Sequence, residues 1–157
     1  MKHPKRKFVL ILDNIRSLFN VGSIFRLADG AGVNKIYLGG ITGRPPQPKI
    51  DKVSLGAEKS VPFEHYWQVW RVVDELKKQG YQIVALEQTR KSINYLKFKP
   101  RFPLALIIGN EKTGVGPALL KRADKIIALP MQGSKESLNV STAVGIALYK
   151  INEFRFS

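Results

Sequence analysis

Six polar side chains are of types that can bind a ligand or assist a reaction, and each lies near the end of an apolar segment. They are Asn20, Arg26, Asn110, Glu111, Ser137 and Asn139. An amide or hydroxyl can position a substrate, a guanidinium can stabilise a developing negative charge, and a carboxylate can orient a neighbouring donor. Taken singly, each also fits a plainer role as a helix cap, a solvent-facing charge or a turn residue. Their meaning therefore depends on whether the fold brings them together.

The glycine-containing turn after the run Leu104–Ile108 matches two known phosphate-binding patterns only in part. The segment Gly109–Gly114 has the spacing of a Walker A loop, but Val115 and Gly116 stand where Lys and Ser or Thr must reach the phosphates and magnesium. Gly114 and Gly116 also start a dinucleotide fingerprint, yet Leu119 occupies the position of its third glycine. The sequence therefore argues against NTPase, kinase and dehydrogenase functions.

Cysteine and histidine usage limits the chemistry further. The chain has no cysteine and two histidines, His3 and His65. Disulfides, thiolate catalysis and cysteine-ligated zinc are thereby excluded. A histidine metal site or a Ser-His-Asp triad would need one of these two imidazoles, and neither stands beside a suitable partner motif. We therefore expect no metal site built on cysteine or histidine.

Short apolar runs rich in Val, Ile and Leu recur along the chain, separated by segments with helical periodicity. The runs are Phe8–Leu12, Lys35–Leu38, Tyr81–Leu86, Leu104–Ile108 and Lys125–Leu129. This alternation predicts an α/β fold. The runs are almost continuously apolar, which is typical of a mainly parallel sheet with helices on both faces. Such folds bind ligands beyond the carboxyl ends of their strands, where several of the polar residues fall.

Three segments outside these apolar runs have the periodicity of helices. Helical spacing of apolar residues predicts helices over Val21–Ala31 and Gln68–Gln79 and a last helix that begins near Val140. Ser137 is available as the N-cap of the last helix. Its apolar stripe is formed by Val140, Ala143, Val144, Ala147, Leu148 and Ile151. We expect this stripe to pack on the sheet or on a second subunit.

The charge balance indicates a polyanionic partner. There are 26 Lys and Arg against 12 Asp and Glu, which leaves a formal net charge of +14, far more than solubility requires. The candidate RNA contacts lie in a basic N-terminal arm, in the surface loop Ile41–Pro48 and after the run Tyr81–Leu86. They are Lys5, Arg6, Lys7, Arg44, Arg90 and Lys91.

Aromatic residues accompany the basic residues of the segment Gln88–Arg101. Tyr95 and Phe98 lie within the segment and Phe102 lies beside it. Aromatic rings among cations are suited to single-stranded RNA, because the rings can stack on bases while the cations meet phosphates. The same rings could instead dock into the core, and both interpretations remain open on the sequence alone.

Length and hydropathy place the chain in one domain. Its 157 residues, 44% of them hydrophobic, suit a single domain over residues 1–157 with a short basic arm at about 1–7. The apolar runs are far too short to cross a bilayer. We expect a soluble, cytoplasmic protein that has no membrane contact.

Three segments together resemble the SpoU/TrmH family of RNA 2′-O-ribose methyltransferases, which belongs to the SPOUT superfamily. The segments are Asn20–Arg26 with Gly30 and Gly32 beyond it, Leu106–Gly116, and Ile127–Gly133 followed by Glu136–Ala143. They match in order and spacing across nearly the whole chain. One such match could arise by chance, but three in order make the resemblance specific.

The resemblance implies a fold, a methyl donor and a substrate. The family fold is a mainly parallel sheet whose C-terminal segment forms a trefoil knot, a feature that nothing else in the sequence predicts. S-adenosylmethionine is the implied methyl donor, and a ribose 2′-hydroxyl of tRNA or rRNA is the implied acceptor. The donor would be held by Gly109, Asn110, Glu111, Leu129, Met131, Gly133, Ser137 and Leu138.

The resemblance also assigns catalytic or substrate-ordering roles to Asn20, Arg26, Glu111, Ser137 and Asn139. It implies a homodimer that uses the first and last helices and completes each site with two subunits. A sulfonium donor carries its own leaving group, so we expect a reaction that needs no metal. The enzyme needs only to align the 2′-oxygen, stabilise its charge and dispose of its proton. Glu111 could orient Arg26 or complement the charge of the donor.

The chemistry of a guanidinium bears on the role of Arg26. The pKa of a free guanidinium lies far above 7, so holding one neutral near pH 7 costs roughly 7–9 kcal/mol. We therefore expect Arg26 to stay charged, to bind the phosphate next to the target ribose and to stabilise the forming alkoxide. The proton acceptor is left unassigned.

Two other functions are compatible with the same motifs. One is a non-catalytic RNA-binding or assembly protein that keeps the fold, against which the completeness of the motifs argues. The other is a SPOUT enzyme that methylates a base nitrogen, against which the pattern of Asn20, Arg26, Ser137 and Asn139 argues. The sequence does not identify which RNA or which nucleotide is modified.

Overall fold

The computed structural model of the chain describes residues 6–156. Within these residues one wholly parallel sheet has the strand order β3-β2-β1-β6-β4-β7-β5. The strands are β1 (Phe8–Asp13), β2 (Lys35–Gly39), β3 (Phe63–Tyr66), β4 (Gln82–Leu86), β5 (Ile93–Asn94), β6 (Leu104–Ile108) and β7 (Lys125–Ala128). The helices are α1 (Leu18–Ala31), α2 (Pro48–Ser54), α3 (Ala57–Ser60), α4 (Val69–Lys78), α5 (Pro117–Leu120) and α6 (Val140–Asn152), with a 3₁₀ turn at Tyr95–Lys97.

Helices cover both faces of this sheet. Alternate residues of β1 point to opposite faces, so Phe8 and Leu10 pack with α1 and α6 while Val9 and Ile11 pack with α4 and α5. Both sets are buried, which explains why the strand is apolar throughout. The predicted α/β fold with a mainly parallel sheet is confirmed, and the knot of the C-terminal segment stays a prediction.

The five apolar runs correspond to the five inner strands, β1, β2, β4, β6 and β7. Sequence periodicity missed β3 and β5. The first is a four-residue edge strand that is only half-buried, and the second has two residues. The short helices α2, α3 and α5 were missed as well, because four to seven residues are too few to establish a helical period.

The last helix differs from the prediction at its start. Asn139, not Ser137, is the N-cap of α6: its side-chain Oδ1 accepts hydrogen bonds from the backbone N–H groups of Ser141 (2.9 Å) and Thr142 (3.3 Å). The apolar stripe packs within the chain, since Val144 and Leu148 are buried in the core shared with α1. That stripe is therefore not free to meet a second subunit.

Because every strand is parallel, the carboxyl ends of the strands meet at one edge of the sheet. The loops that leave β1, β6 and β4 there begin at Asn14, Gly109 and Glu87. The long loop between β7 and α6 starts at Leu129 on the same edge. This edge is where a doubly covered parallel sheet leaves room for a ligand.

Candidate active site at the carboxyl edge of the sheet

Two adjoining clefts open at the carboxyl edge. The first has a cavity volume of about 210 Å³ and lies between the loops that follow β4, β6 and β7. It is lined by Leu86, Glu87, Gln88, Ile108, Gly109, Asn110, Glu111, Lys112, Gly114, Ala128, Leu129, Met131, Ser137, Leu138, Val140 and Ala143. The second cleft is lined by Arg16, Ser17, Asn20, Asn110, Glu111, Lys112, Leu138, Asn139 and Val140. Five residues line both, so the two clefts form one continuous depression.

The loop after β6 is a tight turn that brings backbone close to backbone. Asn110 and Gly114 exchange backbone hydrogen bonds of 3.2 and 2.9 Å, and the side-chain Oδ1 of Asn110 accepts from the N–H groups of Lys112 and Thr113. A Cβ on Gly109 would overlap the backbone of Gly114, which explains the glycine at this position. The turn forms one wall of the first cleft.

Glu87 holds a second wall in place, and sequence reasoning did not select it. Its Oε2 accepts from the N–H of Val115 (2.8 Å) and its Oε1 accepts from the N–H of Gln88 (2.9 Å). The side chain of Gln88 in turn donates to the carbonyl of Leu129 (3.0 Å). Glu87 directly follows the predicted strand Tyr81–Leu86, so its place at a strand end is the signal that could have identified it.

Asn20, Glu111 and Asn139 meet in the second cleft. The Nδ2 of Asn20 donates to Oε2 of Glu111 (3.0 Å), and the Nδ2 of Asn139 lies 3.4 Å from Oδ1 of Asn20. Asn20 is 5% exposed. Because a carboxylate only accepts hydrogen bonds, Glu111 requires the NH₂ group of Asn20 to face it, and the amide oxygen of Asn20 then faces Asn139. The three residues are therefore mutually oriented.

Glu111 also joins the loop after β1 to the loop after β6. Its Oε1 accepts from the N–H of Arg16 (2.9 Å) and its Oε2 from the N–H of Ser17 (2.8 Å). Partial burial acts to raise the pKa of Glu111, but the hydrogen bonds from Arg16, Ser17 and Asn20 outweigh burial and hold this pKa below its ordinary value. The carboxylate is thus fixed in its charged form.

Arg26 does not join this cluster within its own chain. It lies on α1 with an exposed side chain, and it lines neither cleft. Glu111 binds Arg16, Ser17 and Asn20 instead of Arg26. The interpretation that Glu111 orients Arg26 therefore has no contact to support it in the described part of the chain.

Most of the residues expected to hold the donor line the first cleft. They are Gly109, Asn110, Glu111, Leu129, Met131, Ser137 and Leu138. Gly133 does not line it and lies in an exposed turn. Ser137 lines this cleft and does not cap α6. The cavity is also lined by the apolar residues Leu86, Ile108 and Ala128, which are the last residues of β4, β6 and β7. These three were not selected from the sequence.

The candidate RNA contacts are divided between the two ends of the sheet. Arg44, Arg90 and Lys91 are exposed and follow strands β2 and β4 at the carboxyl edge, whereas Lys7 is exposed before β1 at the opposite end. The guanidinium of Arg6 donates to the carbonyls of Phe154 (2.8 Å) and Arg155 (3.2 Å) and so joins the first of the described residues to the segment that follows α6. Lys5 lies outside the described residues.

The aromatic residues near Gln88–Arg101 pack against the core. Phe98 is 4% exposed, and Tyr95 and Phe102 are partly buried against the same core cluster. Of the two interpretations left open by the sequence, docking into the core is the one that the structure supports. These three rings therefore do not provide a surface on which RNA bases could stack beside the basic residues of this segment.

Residues 6–156 lack two structural features. They contain no helix with both the length and the apolar character needed to cross a bilayer. No group of three or more His, Asp or Glu side chains is arranged to hold a metal ion in this range.

Comparison with known proteins places the chain among RNA-modifying enzymes. Residues 7–149 match the model of the SpoU rRNA Methylase family. A tRNA (guanosine(18)-2′-O)-methyltransferase of Aquifex aeolicus (strain VF5) is 34% identical over 99% of this chain and 73% of that protein. The TrmH family protein YacO of Bacillus subtilis (strain 168) is 31% identical over 94% of this chain and 59% of its own length.

The similarity extends to the three-dimensional structure of a solved relative. The AdoMet-bound rRNA methyltransferase of Sinorhizobium meliloti superposes with a TM-score of 0.87 at 27% identity, over 100% of this chain and 60% of that chain. The chain thus spans about three-fifths of two of these relatives and a larger share of the Aquifex protein.

Proposed function

The chain belongs to the SpoU rRNA methylase family, and from that premise we propose that it transfers a methyl group from S-adenosylmethionine to a ribose 2′-hydroxyl in tRNA or rRNA. The observation that carries the proposal is the joining of two clefts. One is walled by three strand-end loops, the other contains Asn20 and Asn139, and Glu111 lines both. A two-part depression of this kind suits a reaction in which a donor and an acceptor must meet.

The first cleft is the proposed donor site. A relative of the same fold carries AdoMet, and the tight turn of Gly109–Gly114, which a Cβ on Gly109 would disrupt, forms one wall of the cleft. Leu129, Met131 and Leu138 offer apolar contacts, while the turn offers backbone hydrogen-bonding groups. When bound, S-adenosylmethionine supplies an activated methyl group with its own leaving group.

The second cleft is the proposed ribose site. The Oδ1 of Asn139 is used by the N-terminus of α6, so its Nδ2 must face Asn20. The amide oxygen of Asn20 then keeps a free lone pair that could accept a hydrogen bond from a 2′-hydroxyl. Orientation by Glu111 fixes this acceptor in advance, and a fixed acceptor favours alignment of the oxygen for displacement.

Arg26 is proposed to act in the site of a partner subunit. It is exposed and lines neither cleft of its own chain. Three apolar side chains on α1 and α6 are also exposed, namely Phe19 (60%), Ile146 (38%) and Tyr149 (53%). A homodimer that buries these side chains would bring Arg26 to the cleft of the second copy. There its positive charge would hold a phosphate and stabilise the developing alkoxide.

Mixed dimers of two inactive variants test this arrangement. Arg26→Ala and Glu111→Gln should each abolish methylation when both subunits carry the change. If Arg26 serves the partner's site, a mixed dimer has one site with both residues intact. An equimolar, exchanged mixture should then regain about one quarter of wild-type activity, because half of the dimers are mixed and each has one active site. No recovery in confirmed mixed dimers would rule out sharing of the site.

The reaction itself is tested by mapping 2′-O-methyl positions in RNA from cells with and without the gene. A position that loses its methyl group identifies the substrate, and the purified protein should restore it with S-adenosylmethionine. The alternative of a non-catalytic RNA-binding protein predicts no lost position. It also predicts no donor binding by calorimetry at millimolar concentration.

A further inference from the structure

An exposed tryptophan stands where the edge strand β3 ends. Trp67 is 73% exposed and directly follows Tyr66, the last residue of β3, which is 40% exposed. Large aromatic side chains are usually mostly buried, so a tryptophan with this exposure is informative. Its position at the carboxyl end of a strand puts it on the same edge of the sheet as the two clefts.

His65 holds Trp67 beside the loop that follows β2. The two rings meet edge to face, with centroids 4.7 Å apart and an interplanar angle of 79°. The Nε2 of His65 lies 2.8 Å from the carbonyl of Gly40, and the N–H of Gly40 donates to the carbonyl of Tyr66 (2.9 Å). Trp67 is therefore fixed next to the loop that carries the exposed Arg44.

A continuous set of hydrogen bonds connects this loop to the clefts. The N–H of Ile41 donates to the side-chain oxygen of Asn14 (2.9 Å), and the Nδ2 of Asn110 donates to the carbonyl of Asn14 (2.7 Å). Asn110 lines both clefts. Adjacent strands are about 4.8 Å apart, so β3 lies roughly 10 Å from β1 and 14 Å from β6. This distance is about three to four bases of a stacked strand.

The chemistry around Trp67 favours a nucleic acid over an acidic or apolar partner. Every base has a π-face, so a fixed and exposed indole can stack on any of them. The chain carries a net charge of +14, and Arg44 is available for a neighbouring phosphate. The acidic side chain of β3, Glu64, is bound by Lys35 at 2.9 Å and by the hydroxyl of Tyr66, which lowers its repulsion of a phosphate.

We propose that Trp67 is a stacking platform for an unpaired base of the substrate RNA, a few nucleotides from the ribose that is methylated. The proposal rests on the function proposed above, because it assigns the platform to the same RNA. It also supplies the aromatic contact that Tyr95, Phe98 and Phe102 do not provide. Trp70 lies three residues further on, but guanidinium groups of Arg71 and Arg122 lie 5.2 and 5.5 Å from its ring centre.

The two tryptophans of the chain, Trp67 and Trp70, make the platform directly observable. In Trp70→Phe the only indole is Trp67, and a 12-nucleotide oligo(U) should quench its fluorescence to saturation. In Trp67→Phe the only indole is Trp70, and the same RNA should leave its emission nearly unchanged. Calorimetry with S-adenosylmethionine should give the wild-type affinity in both variants, because neither residue lines the donor cleft.

Affinity for RNA provides the second measurement. Trp67→Ala should weaken binding of oligo(U) and of unfractionated tRNA by about 5- to 140-fold, the range expected for loss of one base–aromatic stack. Trp67→Phe keeps a ring and should recover much of this loss. Trp70→Ala is the matched control and should bind RNA nearly as the wild type does. In methylation assays Trp67→Ala should raise KM for RNA far more than it lowers kcat.

Three results would overturn the platform. They are an unquenched Trp67 at RNA concentrations that saturate the wild-type protein, an equal loss of RNA affinity in Trp67→Ala and Trp70→Ala, or dissociation of a dimer by Trp67→Ala in size-exclusion chromatography. The last result would mean that a second copy covers the ring. Failure of the proposed reaction is separate, since it would appear as absent methyl transfer with RNA-dependent quenching of Trp67 intact.

Discussion

Replacing Glu111 by glutamine removes the charge that joins three elements of the second cleft while keeping the size of the side chain. The carboxylate accepts hydrogen bonds from the N–H groups of Arg16 (2.9 Å) and Ser17 (2.8 Å) and from the amide of Asn20 (3.0 Å). Glutamine keeps one acceptor oxygen and replaces the other by an NH₂ donor. If the oxygen faces Ser17 and Asn20, the NH₂ faces another donor at Arg16, and that hydrogen bond is lost.

The expected loss of folding stability can be estimated from these three hydrogen bonds. One lost hydrogen bond to a charged group costs about 1.5 kcal/mol at the lower end of its range, and turning the other two from charged to neutral costs about 0.5 kcal/mol each. Glu111 is exposed to solvent on one side, so screening reduces the sum to about 2 kcal/mol. For a chain of this length we expect the midpoint of thermal unfolding to fall by roughly 4–8 °C at pH 7.

The pH dependence separates this mechanism from a general loss of packing. Hydrogen bonds hold the pKa of Glu111 below its ordinary value of 4.5. The wild-type protein therefore gains stability from this carboxylate above about pH 4.5 and loses it as the pH falls through the lower pKa of the folded state. Urea unfolding should therefore show a free-energy difference between wild type and Glu111→Gln that is larger at pH 7 than at pH 3.5.

A matched control and a functional measurement complete this test. Glu136→Gln removes an exposed carboxylate of the neighbouring loop and should change stability by less than about 0.5 kcal/mol. Glu111→Gln should also abolish methylation, because the amide of Asn20 is no longer oriented by a group that only accepts. An equal destabilisation at both pH values, or none at either, would refute the reasoning.

Other substitutions test the remaining parts of the site. Gly114→Ala would place a Cβ onto the carboxylate of Glu87 at a backbone φ of +70°, so calorimetry should find donor binding abolished. Gly116→Ala meets no atom within 4 Å and should bind the donor normally; equal donor affinities in the two variants would contradict this account. Asn139→Ala removes the N-cap of α6 and should cost about 1 kcal/mol in urea unfolding. It should also reduce methylation severely while donor affinity stays near the wild-type value, and unchanged methylation would remove Asn139 from the ribose site.

The fold could be predicted because burial on both faces leaves a mark on each strand separately. The runs Phe8–Leu12 and Leu104–Ile108 are apolar throughout for this reason, and they became the adjacent central strands β1 and β6. The edge strand β3 carries no such mark, since Glu64 and Tyr66 face solvent. Its absence from the prediction also concealed Trp67, whose importance depends on where that strand ends.

The cap of α6 shows the same limit at a smaller scale. Ser137 and Asn139 are both good capping residues, and only the backbone path of the loop decides which oxygen reaches the free N–H groups. The structure assigns this role to Asn139, which at the same time faces Asn20. Capping and the proposed ribose site therefore share one side chain.

By itself the sequence determined the alternation of strands and helices, the polar residues at strand ends and the three ordered segments that resemble an RNA methyltransferase family. These are local properties, because periodicity, charge and motif spacing are carried by neighbouring residues. Only the tertiary structure decided that Glu111 binds Asn20, 91 residues away, that Asn139 meets Asn20 across 119 residues, and that Arg26 stays apart from both. Contacts of this kind depend on how parallel strands are ordered in the sheet, and strand order is set by the packing of the whole chain.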